Sequence, residues 1–127
     1  MDDQKIKRKA LSNFDKFLNL ENKDHICFIC GEKINKDDLS RDHIIPWSYM
    51  YSDDLWNLVY VHKGCNSSKS NITPSEERIE CLKERNMRLQ EALHREYHNK
   101  SFSLLEEFDY AIEHEYVDKF YLGCRGC

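Results

Sequence analysis

Glycine and proline are scarce in this chain of 127 residues, at four and two. Collagen-like repeats and low-complexity tracts are thereby excluded. No uninterrupted apolar run approaches the roughly 20 residues of a membrane span, and the opening MDDQKIKRKA lacks the apolar core of a secretory signal. Internal repeats are missing too, and so is a surplus of positive charge. Lys and Arg number 19 against 23 Asp and Glu, a net charge of −4, which argues against binding nucleic acid through bulk charge. The chain does have 40% hydrophobic and 12% aromatic residues, too many for a wholly disordered polymer. Its length suits one domain that buries roughly two-thirds of its unfolded surface. The expectation is a single soluble, cytoplasmic domain over residues 1–127, with no membrane partner.

Charge is unevenly spread. Residues 1–40 carry eight basic and eight acidic groups and residues 41–73 three of each, so the acidic excess falls in residues 74–127, eight against twelve. Six cysteines stand at 27, 30, 65, 81, 124 and 127. Disulfides belong mostly to exported proteins, so metal ligation is the better reading. Cys27-Phe28-Ile29-Cys30-Gly31 has the gap and the following glycine of a zinc knuckle, and His62-Lys63-Gly64-Cys65 repeats the gap with one imidazole. Two such pairs across a long insert fit a structural zinc site closed at four ligands, Cys27, Cys30, His62 and Cys65. Two alternatives stay open: Cys124 and Cys127 completing an all-thiolate site, or His62 serving a catalytic metal. Cys81, on a helical pattern, reads as a buried apolar residue.

Along the chain, Ile6, Ala10, Phe14, Phe17 and Leu18 share one face of a predicted N-terminal helix within residues 1–20, whose Lys5, Lys7, Arg8 and Lys9 form a basic cluster. Leu39 to Ile45, ending before Pro46, suits a strand, as does Leu58 to Val61. A loop of about a dozen residues lies between them, long enough to suggest a function. Cys65 to Ser70 can form a short helix. Thr73-Pro74-Ser75-Glu76 predicts a helix capped by Thr73, with Ile79, Leu82, Leu89, Leu93 and Tyr97 as its stripe. A further helix starting at Ser101 or Ser103 carries Leu104, Phe108, Ile112, Tyr116 and Phe120, and the two should pair as a helical hairpin. Asn86 breaks the first stripe. A partly exposed intramolecular contact is expected there, with a homodimer or larger complex through the C-terminal helices as the alternative.

Arg41-Asp42-His43-Ile44-Ile45-Pro46 sets a carboxylate beside an imidazole, Asn57 follows fourteen residues after His43, Asn66 nine further on, and Lys69 one helical turn beyond Asn66. On these pieces, with Cys27-x2-Cys30, Asn57-Leu58-Val59 and Cys65-Asn66-Ser67-Ser68-Lys69, the chain resembles the His-Asn-His (HNH) endonuclease family. Residues 42–77 look like the HNH domain of CRISPR-associated RNA-guided nucleases. The resemblance implies an α+β fold. Its core, residues 25–73, would be a ββα-metal finger, an antiparallel hairpin plus a short helix, with a zinc knuckle. An N-terminal helix and a helical extension, residues 74–127, would flank it.

The resemblance also implies a chemistry. Phosphodiester hydrolysis needs a water deprotonated near neutral pH, which suits His43 as general base. Asp42 and Asn66 would offer hard oxygens to Mg²⁺ or Mn²⁺, Asn57 would pin loop backbone and orient the His43 ring, and Lys69 would meet a substrate phosphate. Adjacent strand residues face opposite ways, so a bend or bulge is expected at Asp42-His43. Nucleic acid, DNA in the first instance, is the expected substrate, with Arg41, Lys63 and Lys69 as contacts. The rival reading is a non-catalytic zinc-ribbon module that binds nucleic acid or protein.

Overall fold

The computed structural model describes residues 11–69 and 73–125, and residues 67–69 in backbone only. The predicted N-terminal helix is seen from Leu11 onward, as a 3₁₀ turn at Leu11–Phe14 leading into α1 (Asp15–Glu21); its basic cluster, Ile6 and Ala10 lie outside the described residues. Phe14, Phe17 and Leu18 are buried as their spacing predicts. Two strands follow, β1 (Leu39–His43) and β2 (Leu58–His62), and a short helix, α2 (Trp47–Met50), punctuates the loop between them. After β2 the chain enters α3 (Lys63–Lys69), then α4 (Glu76–Glu96), α5 (Ser103–Glu113) and α6 (Tyr116–Arg125). The architecture is α+β, with β1, β2 and α3 forming the ββα unit.

β1 and β2 pair antiparallel, Leu39 opposite His62 through His43 opposite Leu58. The pairing runs one to one, so there is no bulge at Asp42-His43; the bend comes immediately after, at Ile44 and Ile45. β2 is buried on both faces from Leu58 to Val61, which explains its unbroken apolar run. One face meets α1, where Tyr60 donates its hydroxyl to Asp15 Oδ1 at 2.9 Å and Asn19 Oδ1 at 3.0 Å. The other meets α3, where Asn66 Nδ2 donates to Ser40 Oγ at 3.0 Å.

The helical extension departs from expectation in three places. α4 is capped by Ser75, whose hydroxyl accepts from Arg78 N at 3.1 Å, so the helix begins two residues later than a Thr73 cap would set it. The second predicted helix is two: a break at His114 and Glu115, with Glu115 at φ 57°, separates α5 from α6. Asn86 is buried, donating Nδ2 to the Trp56 carbonyl at 2.9 Å, and is no exposed contact.

Its neighbour Arg85 is fully buried too. Arg85 Nη1 donates to the Leu58 carbonyl at 2.6 Å, Nη2 to that of Leu55 at 3.2 Å, and Nε and Nη2 both reach Asn86 Oδ1. Burial pushes its pKa down to about 10, which still leaves it charged at neutral pH. The fork of a guanidinium matches several carbonyls at once, which an ammonium cannot do. Arg85→Met should strand at least two buried carbonyls at about 1–3 kcal/mol each. Urea denaturation should show a loss of about 2–6 kcal/mol on that count, and Arg85→Lys should recover little of it.

Candidate active site and metal centre

The knuckle is built by backbone chemistry before any ion is considered. Gly31 sits at φ 79°, where a side chain is strained, and its NH returns to the Cys27 carbonyl at 2.9 Å. Cys30 N points to Cys27 Sγ at 3.5 Å, and Phe28 N donates to the Tyr60 carbonyl at 2.9 Å, fastening the knuckle to β2. His62 and Cys65 arrive from the junction of β2 with α3. The ligand atoms of Cys27, Cys30, His62 and Cys65 all lie within 4.8 Å of one another. His62 Nδ1 is 3.4 Å from Cys30 Sγ and 3.9 Å from Cys65 Sγ, while Nε2 donates to the Lys33 carbonyl at 3.0 Å. That bond puts the proton on Nε2 and turns the Nδ1 lone pair into the cluster.

The thiols of the cluster differ in acidity. Burial, then the neighbouring Cys27 and Cys30 sulfurs, push the Cys65 thiol up to about 11. Burial would also raise Cys27, but the backbone NH groups of Cys30, His62 and Ile29 bring it down to about 6. Three sulfurs and one imidazole gathered within 4.8 Å of one another suit a tetrahedral divalent ion. Of the alternative cysteines, Cys127 lies outside the described residues, Cys124 approaches Thr73 Oγ1 at 3.9 Å, and Cys81 is exposed, not buried as its spacing suggested.

The second group of residues surrounds the end of β1. Asp42 and His43 are both buried. By strand alternation Asp42 shares a face with Ser40, the residue that binds Asn66, so Asp42 and Asn66 lie on the same side of the hairpin. His43 is the last residue of the strand. Asn57 is fully buried; its Oδ1 accepts from Ile45 N and its Nδ2 donates to Ile45 O, both at 2.9 Å. The ring of His43 is met instead by Asp53, Nε2 to Oδ1 at 2.7 Å. Asp53 was missed in the sequence because an acidic residue in a polar loop carries no periodic signal.

The residues expected to touch nucleic acid are differently placed. Arg41 makes a two-pronged pair with Asp15, at 2.8 and 2.6 Å. Burial acts to raise the Asp15 pKa, but Arg41 and Tyr60 hold it below its ordinary value. Lys63 is exposed at the start of α3. Lys69 ends α3, and its side chain lies outside the described residues. Beyond Asp53 the surface turns acidic, in a cleft lined by Asp54, Glu106 and Glu107 along with Trp56 and Tyr116.

Residues 27–75 match the family model described as HNH endonuclease. That segment is similar to HNH endonucleases. The HNH match starts at the first knuckle cysteine, ends at the cap of α4, and covers less than half of the chain, leaving α1 and α4–α6 outside it. No curated protein matches the chain. No helix among the described residues is long and apolar enough to cross a membrane.

Purified protein should carry one tightly held metal ion per chain at the cysteine cluster of the HNH segment. Elemental analysis should find it lost in Cys30→Ala and His62→Ala and retained in Cys81→Ser and Cys124→Ser. Loss in the last pair would point to a different ligand set.

Proposed function

We propose that the chain is a zinc-stabilised, metal-dependent HNH endonuclease that hydrolyses DNA phosphodiester bonds. The observation that carries the reading is the family match over the segment containing a buried His43, with Asp42 and Asn66 on one side of the hairpin. His43 takes the proton from the attacking water. Asp42 would contribute a carboxylate oxygen and Asn66 an amide oxygen to a divalent ion, Mg²⁺ or Mn²⁺. Such an ion would supply positive charge against the charge that develops on the phosphate and the leaving oxygen. The donor chemistry fits: the Asn66 amide spends its nitrogen on Ser40, so its oxygen is the atom left for a hard cation. Asn57 holds the turn after His43 by clasping both backbone groups of Ile45.

Zinc in the Cys27, Cys30, His62 and Cys65 cluster plays no part in bond breaking. Its work is to tie the knuckle to the start of α3, one residue from Asn66. Lys63 and Lys69 meet substrate phosphates, and Arg41 joins them where its pair with Asp15 allows. With a net charge of −4, binding rests on these few local cations and weakens steeply with salt. The cytoplasm is the proposed location.

Supercoiled plasmid gives the decisive assay. Nicking should appear with Mg²⁺ or Mn²⁺ and vanish with EDTA, while the tightly held zinc remains. His43→Ala should lower the rate by about 10²–10⁴-fold without loss of zinc. A metal-loaded, folded protein that binds DNA and never nicks it would favour the zinc-ribbon binding module instead.

A further inference from the structure

We propose that Asp53 is the positioning residue for His43: its carboxylate holds the ring in the tautomer with the proton on Nε2 and so assigns Nδ1 as the nitrogen that accepts a proton from water. The proposal rests on the reading of His43 as the base. It replaces Asn57 in the ring-orienting role, because both ends of the Asn57 amide are spent on Ile45.

The geometry is specific. Asp53 Oδ1 stands 2.7 Å from His43 Nε2, in the range of a charge-assisted bond, and the two side chains are only 11% and 8% exposed. An ionised carboxylate can only accept a hydrogen bond, so the proton on this bond belongs to Nε2. In a neutral imidazole the lone pair is then on Nδ1. A carboxylate at the rear of the ring also favours the imidazolium that forms once the proton has been taken, as expected of a group that supports a general base.

The loop that carries Asp53 is anchored on either side, so the bond does not depend on a wandering segment. Upstream, α2 closes with Tyr51 in a left-handed conformation at φ 55° and its NH on the Trp47 carbonyl at 2.7 Å. Downstream, Ser52 donates to Asp54 Oδ2 at 2.6 Å, and Asn57 N donates to the Asp54 carbonyl at 2.9 Å. The carbonyls of the following residues, Leu55 and Trp56, are held by Arg85 and Asn86 of α4. The placement of Asp53 is therefore set partly from outside the HNH segment.

Two-bond ¹H–¹⁵N correlation spectra of the zinc-loaded full chain near pH 7, with His43 assigned by its loss in His43→Ala, read the tautomer directly. The expected wild-type spectrum shows a protonated Nε2 and an unprotonated Nδ1. A protonated Nδ1, or an imidazolium, would overturn the proposal without any variant being needed. In Asp53→Ala the signature should become a mixture of tautomers while zinc content is unchanged, and kcat should fall about 10–100-fold with KM within twofold. An unaltered Nε2–H signature in Asp53→Ala, or an effect on KM alone, would also overturn it. Since the spectra require no turnover, a wild type that shows the expected tautomer and cuts nothing refutes the nuclease reading and leaves the Asp53–His43 pairing standing.

Discussion

Four ligand atoms gathered from two distant stretches of chain are the constraint on which the rest of this structure depends. Cys27 and Cys30 come before the hairpin, and His62 and Cys65 after it. Their three sulfurs and one imidazole lie within 4.8 Å of one another, a donor set that suits a tetrahedral ion. An ion held there would act as a clasp. Structural zinc in small domains is worth about 10–16 kcal/mol apparent, more than a two-stranded hairpin and a seven-residue helix gain from burial. Because Asn66 directly follows Cys65, the clasp also fixes where α3 begins to present its polar residues to β1.

The helices beyond the HNH segment supply the second constraint. Arg85 and Asn86 satisfy the carbonyls of a tight turn that contains Asn57, and Asn57 in turn holds Ile45, two residues after His43. The loop between the strands is thus braced by a chain of hydrogen bonds that starts on α4. α6 closes on the same loop. A Cβ at Gly123 would run into Tyr49 Oη, so glycine is what permits the helix to come so near. A small finger with a long loop acquires a rigid site because two external elements bear on that loop.

Much of this was legible in the sequence, where the signal was local or chemically distinctive. Paired cysteines with a glycine after them, a β-branched run ending at proline, and the apolar spacing of Phe14, Phe17 and Leu18 each name a structure with few competitors. What escaped was non-local. Asn86 looks like a blemish on an apolar stripe until the Trp56 carbonyl, thirty residues away, is placed beside it. Asp53 is one acid among several in a polar loop until His43 turns toward it. The break between α5 and α6 was hidden by residues spaced four apart, a pattern that drifts around a helix by roughly 40° per step. Accordingly Leu105, Ala111, Val117 and Tyr121 are buried, and of the predicted stripe only Phe108 is. Ser75 outcompetes Thr73 as a cap because its hydroxyl reaches Arg78 N. The bulge expected at Asp42-His43 is absent: pairing stays regular through His43 opposite Leu58, and the bend follows at Ile44 and Ile45.

The central claim is that one metal clasp orders the hairpin and α3, while the helical extension holds the loop from outside. Amide hydrogen exchange compared between metal-loaded and chelated protein tests it most directly. Protection should collapse across β1, β2 and α3 on metal removal and survive through α4 to α6. Unchanged protection in β1 and β2 after the metal has left would contradict the account.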